Sequence, residues 1–235
     1  MLKPFWRYYG GKWRAAPRYP APMYPHIIEP FAGAAGYAMR YPDRQVTLVE
    51  KYPVVAGIWR YLIAVSPDEV LRIPLVEAVS DLPAWVPQEA RWLVGFTMNA
   101  AVTAPRNVLS AGRQRLAGMG RKFEGWTGAQ RERVASQVDA IRHWRVVEGA
   151  YTDAPDVEAT WFVDPPYENA GKHYVHGSAD LEYRTLGDWC RTRRGQTMVC
   201  ENVGATWLPF VPFMAAKAGP AKQVSHEALW VNDRT

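Results

Sequence analysis

A short apolar stretch that runs directly into a glycine-rich turn constrains the fold of this chain more than any other feature. Residues 27–29 (Ile-Ile-Glu) form a predicted buried strand, and residues 31–36 (Phe-Ala-Gly-Ala-Ala-Gly) follow it. Beyond this turn we expect a helix to about Tyr41, a strand over residues 45–49 and a helix over residues 54–65. Strand, turn, helix, strand and helix in this order open a doubly wound α/β sheet.

The pattern changes beyond this opening. From about residue 66 to residue 144 it is mainly helical, and strand patterns return only after that. Further strands are expected at residues 145–147, 160–163, 197–200 and 229–231. We therefore predict one sheet domain built from residues 1–65 and 145–235, interrupted by a helical insertion over residues 66–144.

The glycine turn and the strand after it predict a cofactor site. Glycines let the backbone turn tightly and approach a ligand with no Cβ in the way, and the helix expected next can offer amide groups. Glu50, at the end of the second strand, can accept both ribose hydroxyls of a nucleoside. These features favour an adenosine-type cofactor, although a tight turn without a ligand explains the glycines too. The pattern is not Gly-x-Gly-x-x-Gly, which disfavours a nicotinamide cofactor.

Asp164-Pro165-Pro166-Tyr167 directly follows the apolar strand that ends at Val163 and suits chemistry on an amino group conjugated to a ring. The lone pair of such a nitrogen is delocalised, so the nitrogen is a poor nucleophile. A carboxylate at Asp164 and a rigid carbonyl at Pro165 can accept its two N–H groups and direct the lone pair at a methyl donor. Tyr167 offers a flat face for an extruded base. The alternative is a strand-ending turn with a buried tyrosine.

The basic residues point to a polyanionic partner. The net charge is +5, and arginines crowd the second half of the insertion, where they can contact phosphates. The residues that we predict to bind DNA are Arg106, Arg113, Arg115, Arg121 and Lys122, with Lys172 and Tyr174 beyond the Asp-Pro-Pro-Tyr motif. A solvated helical face is the alternative for each arginine, and a solvated loop is the alternative for Lys172 and Tyr174. The eleven Trp and twelve Tyr should mostly be core, and an excess would suit stacking on bases.

Other classes of site are disfavoured. Cys190 and Cys200 are too few for a zinc site or a disulfide framework, and His143 has no partners at metal-ligand spacing. No apolar stretch reaches the roughly 18 residues that a membrane helix needs, and the N-terminus does not resemble a signal peptide. We expect a cytoplasmic protein without a metal or a membrane partner, acting as a monomer or weak dimer.

The order of the motifs is similar to that of D12-class, Dam-like adenine-specific DNA methyltransferases, in a small phage or prophage form. Three segments carry the resemblance: Tyr8-Tyr9-Gly10-Gly11-Lys12, the Phe-x-Gly-x-x-Gly pattern within Glu29 to Gly36, and Asp164 to Tyr167. Tyr9 departs from the family, which often has alanine there. The resemblance covers most of the chain and implies a class I S-adenosylmethionine-dependent methyltransferase fold. In that α/β fold a Rossmann-like, mostly parallel seven-stranded sheet carries the target-recognition region as a helical insertion.

The resemblance also implies an activity. S-adenosylmethionine would be the cofactor, double-stranded DNA the partner, and N6 of a flipped adenine the methyl acceptor, as in restriction–modification systems and phages. The cofactor contacts implied by the family are Tyr8, Gly10, Gly11, Lys12, Glu29, Phe31, Gly33, Glu50 and Asp164. Catalysis would rest on Asp164 to Tyr167. No role carries over to the residues after the third strand, 148–151 and Asp153.

Several alternatives share parts of this pattern. An N4-cytosine methyltransferase can use the same Asp-Pro-Pro-Tyr geometry, and a DNA-binding relative without catalysis is a second possibility. Glu201-Asn202-Val203 after Cys200 resembles part of cytosine-C5 methyltransferases, but neither cysteine follows a proline, as the catalytic cysteine of those enzymes does. Methylation of protein glutamine generally goes with asparagine at the head of the motif, so Asp164 disfavours it.

Overall fold

The computed structural model describes residues 1–99, 102–118, 125–218 and 223–234. The chain forms two compact units. Unit 1 comprises Met1–Tyr19, Gly33–Asp43 and Tyr52–Val146, and unit 2 comprises Pro20–Ala32, Arg44–Lys51 and Val147–Thr235. The first part of the chain therefore alternates between the two units, so each unit is assembled from segments that are distant in sequence.

Unit 2 contains the sheet, whose third strand begins at the end of unit 1. The strands are β1 His26–Glu29, β2 Gln45–Glu50, β3 Arg145–Glu148, β4 Ala159–Val163, β5 Gly195–Asn202, β6 Val211–Ala218 and β7 Gln223–Arg234. Their order across the sheet is β3-β2-β1-β4-β5-β7-β6. Strands β2, β1, β4 and β5 run parallel, whereas β7 is antiparallel to both of its neighbours.

The strand order has its switch point between β1 and β4. On one side the order runs from β1 through β2 to β3, and on the other side it runs from β4 towards β6. Loops that leave neighbouring strands at such a point diverge and form a crevice at the carboxyl ends of the strands. A mostly parallel sheet in this order, with a reversed seventh strand inserted between β5 and β6, is the Rossmann-like class I methyltransferase fold. The predicted fold class is confirmed.

Strand β4 places the Asp-Pro-Pro-Tyr motif at the carboxyl end of the parallel strands. All five of its residues are buried, and Trp161 and Val163 belong to a core cluster that also contains Leu186. A parallel strand covered on both faces favours a continuous apolar run over an alternating one. Because Val163 is the last residue of this buried strand, Asp164 lies immediately at its carboxyl end.

The strands predicted in the second half of the chain are confirmed, but β6 was not foreseen. Its sequence contains Pro212 and three alanines instead of alternating β-branched residues. Strand β6 is the last strand of the sheet and pairs with β7 alone, with an irregularity between Pro212 and Met214. Proline lacks a donor for a strand ladder, and a strand at the edge of a sheet tolerates it.

The prediction of a helix between the glycine turn and Tyr41 is wrong. A single 3₁₀ turn over Ala38–Arg40 takes its place. Ala35 has φ of 50°, in the left-handed region, where a right-handed helix cannot continue. Residues 34–39 are all buried, so this segment has no solvent face of the kind an amphipathic helix presents. The turn therefore offers no helix N-terminus to a ligand.

Unit 1 is helical. It contains α1 Pro53–Ala64, α2 Pro67–Arg72, α3 Gln88–Met98, α4 Ala111–Gly118 and α5 Gly128–Ala135, and the predicted α1 is confirmed. Its core is aromatic: the ring of Trp59 lies 5.1 Å from Trp6, 5.8 Å from Phe5 and 5.8 Å from Trp144. These tryptophans build the core, whereas Trp85 is 59% exposed.

The helical unit extends beyond the predicted insertion. Besides residues 66–144 it includes the N-terminal 19 residues, Gly33–Asp43 and helix α1. That residues 66–144 recognise a target stays a prediction. In the part of the chain that the structure describes, no helix is both long and apolar enough to cross a membrane.

Candidate functional site

Three acidic residues lie at the carboxyl edge of the sheet in unit 2. Glu29 ends β1, Glu50 ends β2, and Asp164 directly follows β4. Strand β1 lies between the other two, and the strand register puts both Glu50 and Asp164 two residues beyond the level of Glu29. The structure thus brings these three predicted site residues to one edge, because parallel strands end on the same side.

Backbone hydrogen bonds fix the loops around this edge. The N–H of Ala32 donates to the carbonyl of Val49 at 3.1 Å, and the N–H of Gly149 donates to the carbonyl of Glu50 at 3.0 Å. The side chain of Glu29 is 2% exposed, whereas Glu50 is half-buried. The loops that follow β1 and β3 are therefore both tied to the end of β2, where Glu50 lies.

Phe31, the first residue of the glycine turn, packs against an aromatic residue that the sequence analysis gave no role. Its ring stacks on Tyr151 with the centroids 5.6 Å apart and the planes at 25°. Tyr151 in turn meets Trp189 edge-on at 5.1 Å. Burial chiefly raises the pKa of Tyr151, so its hydroxyl stays neutral near pH 7. Phe31 and Tyr151 thus form a stacked, half-buried aromatic pair beyond the ends of β1 and β3.

The Asp-Pro-Pro-Tyr motif is largely enclosed. Pro165 and Pro166 are buried, and Asp164 and Tyr167 are half-buried. The Oδ1 atom of Asp164 and the hydroxyl oxygen of Tyr167 are both shielded from solvent. A polar group removed from water exerts a stronger electrostatic effect on a bound group than it would at the surface.

Two side chains from elsewhere in unit 2 hold the loop that contains the motif, residues 164–171, which we call the catalytic loop. The hydroxyl of Tyr183 donates to the carbonyl of Pro166 at 2.6 Å. The backbone N–H of Glu168 donates to the carboxylate of Glu201 at 2.7 Å. Tyr183 opens helix α6, Tyr183–Thr192, and Glu201 lies near the end of β5. The two contacts flank Tyr167.

The catalytic loop turns back on itself at Gly171. The N–H groups of Ala170 and Gly171 donate to the carbonyl of Tyr167 at 3.1 and 2.6 Å. A Cβ at position 171 would lie 2.6 Å from Cβ and 2.8 Å from the carbonyl carbon of Pro166. Only glycine at position 171 therefore allows the chain to come this close to Pro166 without shifting that proline.

The N-terminal motif lies in unit 1, beside the second half of the glycine turn. Lys12 is 7% exposed, and its Nζ donates to the carbonyl of Gly10 at 3.1 Å. Gly33 has φ of 46°, and a Cβ there would lie 3.1 Å from the ring of Tyr8. Its carbonyl accepts a 2.8 Å hydrogen bond from the indole of Trp59. The structure therefore places Tyr8 close to Gly33. The carbonyl of Tyr8 also accepts a 3.2 Å hydrogen bond from the N–H of Gly11.

The predicted DNA-binding residues fall on both units. Arg106 and Arg115 are exposed, and Arg113 and Arg115 lie in α4. Arg121 and Lys122 lie outside the described residues. In unit 2, Lys172 is exposed and Tyr174 is half-buried, both just beyond the fold-back of the catalytic loop.

Other arginines of the basic segment have structural partners. Arg131 donates to the carbonyl of Ile73 at 2.9 Å, and Arg133 donates to that of Pro4 at 2.6 Å. Arg142 donates to the carbonyl of Ile63 at 2.7 Å. These guanidinium groups hold segments of unit 1 together. The arginine-rich part of the chain therefore contains structural arginines as well as the exposed Arg106 and Arg115.

The cysteines do not favour nucleophilic chemistry. Cys190 and Cys200 are both fully buried in unit 2, and burial raises the pKa of Cys190 to about 12. A thiolate is the nucleophilic form of cysteine, and at neutral pH Cys190 is a thiol. Among the described residues, no group of three histidine, cysteine or acidic side chains could hold a metal ion.

Sequence patterns give no role to three residues of this region: Tyr151, Tyr183 and Glu201. Tyr151 was noted as part of the segment after β3, and Glu201 only as part of Glu-Asn-Val. A glutamate that directly follows the apolar residues Met198, Val199 and Cys200 of one strand is a signal that could have singled out Glu201. No sequence signal marks Tyr183, because its partner lies 17 residues away.

Comparison with solved structures gives likenesses at low sequence identity. No protein-family model matches the chain, and no curated protein matches it either. One similar solved structure is a conserved hypothetical protein of Streptococcus pyogenes, with a TM-score of 0.38 and 11% identity over 88% of this chain and 86% of that one. Another is described as "Putative methyltransferase yhhF from Escherichia coli", with a TM-score of 0.34 and 14% identity over 89% of this chain and 76% of that one. Both scores are low, and the fold therefore rests on the strand order of this chain.

Proposed function

We propose that this chain is a DNA methyltransferase that transfers a methyl group from S-adenosylmethionine to N6 of an adenine extruded from the duplex. The observation that carries the proposal is the position of Asp164-Pro165-Pro166-Tyr167 at the carboxyl end of β4, beside β1 at the switch point of the sheet. Ligands of doubly wound sheets bind in the crevice at this point. The motif thus lies where such a sheet performs its chemistry.

Each residue of the motif has a role in this reaction. The carboxylate of Asp164 accepts one N–H of the amino group, and the carbonyl of Pro165 accepts the other. Both prolines are buried, which supports a fixed direction for that carbonyl. The ring of Tyr167 stacks on the extruded base. Asp164 need not be a strong base, because the proton leaves to water after the methyl transfer.

The residues at the carboxyl edge of unit 2 fit an adenosine cofactor. Glu50 ends β2, where a carboxylate suits ribose hydroxyls, and the stacked pair of Phe31 and Tyr151 suits a flat base. S-adenosylmethionine would supply an activated sulfonium methyl group, so the reaction needs no metal. The family resemblance also assigns cofactor binding to the buried ammonium of Lys12 in unit 1. Calorimetric titration of Glu50→Gln and Lys12→Met proteins with S-adenosylmethionine tests each assignment separately.

Transfer of labelled methyl from S-adenosylmethionine to unmethylated duplex DNA, followed by nucleoside analysis, tests the whole proposal. Label in N6-methyladenine is the expected result. Label in N4-methylcytosine would keep the mechanism and change the base, since the same motif can hold that amino group. Cofactor binding without transfer to duplex DNA would contradict the proposed substrate and favour RNA or modified DNA. Absence of cofactor binding would favour a DNA-binding relative without catalysis.

Two arginines of the basic segment test DNA as the partner. Arg115 is exposed on α4, whereas Arg131 on α5 donates to the carbonyl of Ile73. Arg115→Gln should weaken DNA binding and reduce the slope of log affinity against log salt by about 1. Arg131→Gln should lower stability and leave that slope unchanged. Fluorescence anisotropy at several salt concentrations measures both, and equal slopes for the two variants would contradict a phosphate contact at Arg115.

A further inference from the structure

The catalytic loop is held at two backbone atoms, one on each side of Tyr167. Before it, the carbonyl of Pro166 accepts the 2.6 Å hydrogen bond from Tyr183. After it, the N–H of Glu168 donates the 2.7 Å hydrogen bond to Glu201. The peptide groups on both sides of Tyr167 are therefore fixed by side chains from α6 and β5, and the main chain of Tyr167 cannot rotate without breaking one of these bonds.

The two side chains belong to one buried group. Tyr183 is 8% exposed and Glu201 is 1% exposed. The ring of Trp207 lies 5.6 Å from that of Tyr183, and its indole N–H donates to Glu201 at 3.5 Å. The N–H of Asn202 also donates to Glu201. Glu201 therefore meets three N–H donors, which offset part of the cost of a carboxylate out of water.

Core packing alone does not require either polar group. Phenylalanine at position 183 would fill the same space, and the preceding residues of β5, Val199 and Cys200, are apolar. Burial is the main cause that raises the pKa of Tyr183, so its hydroxyl stays protonated and remains a donor. A buried hydroxyl and a buried carboxylate that both bond to the same short loop are thus explained by what they do to that loop.

We infer that Tyr183 and Glu201 are positioning residues for methyl transfer, a role that rests on the proposed function. By holding the Pro166 carbonyl and the Glu168 amide, they fix the direction in which Tyr167 faces the base. Catalytic groups need to be held within about 0.5 Å and 10–20° of their productive geometry. Displacement by 1 Å can cost on the order of a hundredfold in rate. Neither residue touches the base or the cofactor in this role.

The inference predicts a specific kinetic effect. Tyr183→Phe removes the hydroxyl and keeps the ring, and should lower kcat roughly tenfold. Glu201→Gln keeps an oxygen that can accept from Glu168 and should retain more activity than Glu201→Ala. The dissociation constant of S-adenosylmethionine should change by less than about twofold in each variant, because the residues act on the base and not on the cofactor. The double variant Tyr183→Phe/Glu201→Ala should be non-additive, since both bonds hold one loop.

Matched controls separate this role from general destabilisation. Tyr61→Phe removes a half-buried hydroxyl from α1 of unit 1, and Glu69→Gln neutralises a carboxylate of α2 that accepts the backbone N–H of Ser66, the N-cap residue of that helix. Neither should alter kcat. Equal losses in the controls, or unchanged kcat in both Tyr183→Phe and Glu201→Ala, would overturn the inference.

Amide hydrogen exchange distinguishes failure of this inference from failure of the proposed function. In the intact chain, Glu201→Ala should accelerate exchange at the Glu168 amide, whatever reaction the protein performs. If that amide exchanges as in wild type, the Glu201 contact does not hold the loop and the inference is wrong. If wild-type protein transfers no methyl group to any nucleic acid, the proposed function is wrong, and a positioning role in methyl transfer is overturned with it even where exchange accelerates.

Discussion

Two loops follow neighbouring strands of the same sheet, and they are held in different ways. The glycine turn after β1 depends on the positive φ of Gly33 and on two hydrogen bonds, from the N–H of Ala32 to Val49 and from the indole of Trp59 to the Gly33 carbonyl. The catalytic loop after β4 is fixed mainly by distant side chains, those of Tyr183 and Glu201. The first loop thus requires a residue that adopts a positive φ, whereas the second is held by two polar side chains that folding brings to it.

Because of this difference, we expect substitutions to have different effects in the two loops. A turn that depends on backbone conformation fails when a glycine gains a side chain, because the new Cβ meets strain or a neighbouring atom. A loop held by side-chain hydrogen bonds keeps its fold when one bond is lost but loses precision. We therefore expect substitutions of Phe31 and Gly33 in the first loop to change cofactor affinity or stability, and loss of the side-chain hydrogen bonds to the second loop to change the rate of chemistry.

The largest effect is expected at Asp164. Asp164→Asn should lower kcat by at least about 10²- to 10³-fold, because the amide can no longer present a charged acceptor to the amino group. Phe31→Leu in the other loop should instead raise the dissociation constant of S-adenosylmethionine and leave kcat within a few-fold. Steady-state methyl transfer and calorimetry measure the two. A Phe31→Leu protein that loses as much kcat as Asp164→Asn would break the division between the loops.

A large loss of stability is expected at Gly171. Gly171→Ala places a Cβ within 3 Å of three atoms of Pro166 and should destabilise the protein by about 1–3 kcal/mol through overpacking. Gly112→Ala in α4 is the matched control, since its Cβ has nothing within 4 Å and alanine favours a helix. Urea unfolding compares the two. Equal stability of both variants would contradict the close approach at Pro166.

A smaller loss is expected at Gly33. Gly33→Ala forces a left-handed conformation on alanine, which costs about 1–2 kcal/mol, and pushes on the ring of Tyr8. The free energy of unfolding should fall, and the affinity for S-adenosylmethionine should fall with it. Alanine tolerated at position 33 without either change would mean that the turn is not specified by its backbone, and the contrast with the catalytic loop would be lost.

The smallest effect concerns pH. Burial raises the pKa of Glu201 above its ordinary value of 4.5, so the folded state binds this proton more tightly than the unfolded state. The contribution of this proton to stability is fully present below pH 4.5 and is lost as the pH rises through the folded-state pKa. The free energy of unfolding of wild type, relative to Glu201→Gln, should therefore decrease as the pH rises from 4.5, by at most about 1.4 kcal/mol per pH unit. Urea titrations from pH 4.5 to 8 measure this difference, and a pH-independent difference would contradict the burial of Glu201.

Sequence patterns predicted the parts of this protein that depend on neighbours along the chain. The strands that end at Glu29, Glu50 and Val163 are confirmed, and with them the class I methyltransferase sheet. The first and third could be predicted because a buried parallel strand needs a continuous apolar run, and the second because residues 45–49 alternate and are β-branched. Strand β6 and the missing helix after the glycine turn could not be predicted, since an edge position and a left-handed Ala35 leave no periodic signal.

Residue type and strand pattern are enough to tell which chemical groups lie at the carboxyl ends of the strands: the carboxylates of Glu29, Glu50 and Asp164, with the prolines and Tyr167 that follow the last of them. This is possible because parallel strands end on the same side of the sheet. What holds those groups in place, however, depends on contacts that exist only in the folded chain. The bonds from Tyr183 to Pro166 and from Glu168 to Glu201 join residues 17 and 33 positions apart. No local spacing encodes such contacts, since they form only when α6 and β5 pack beside the end of β4.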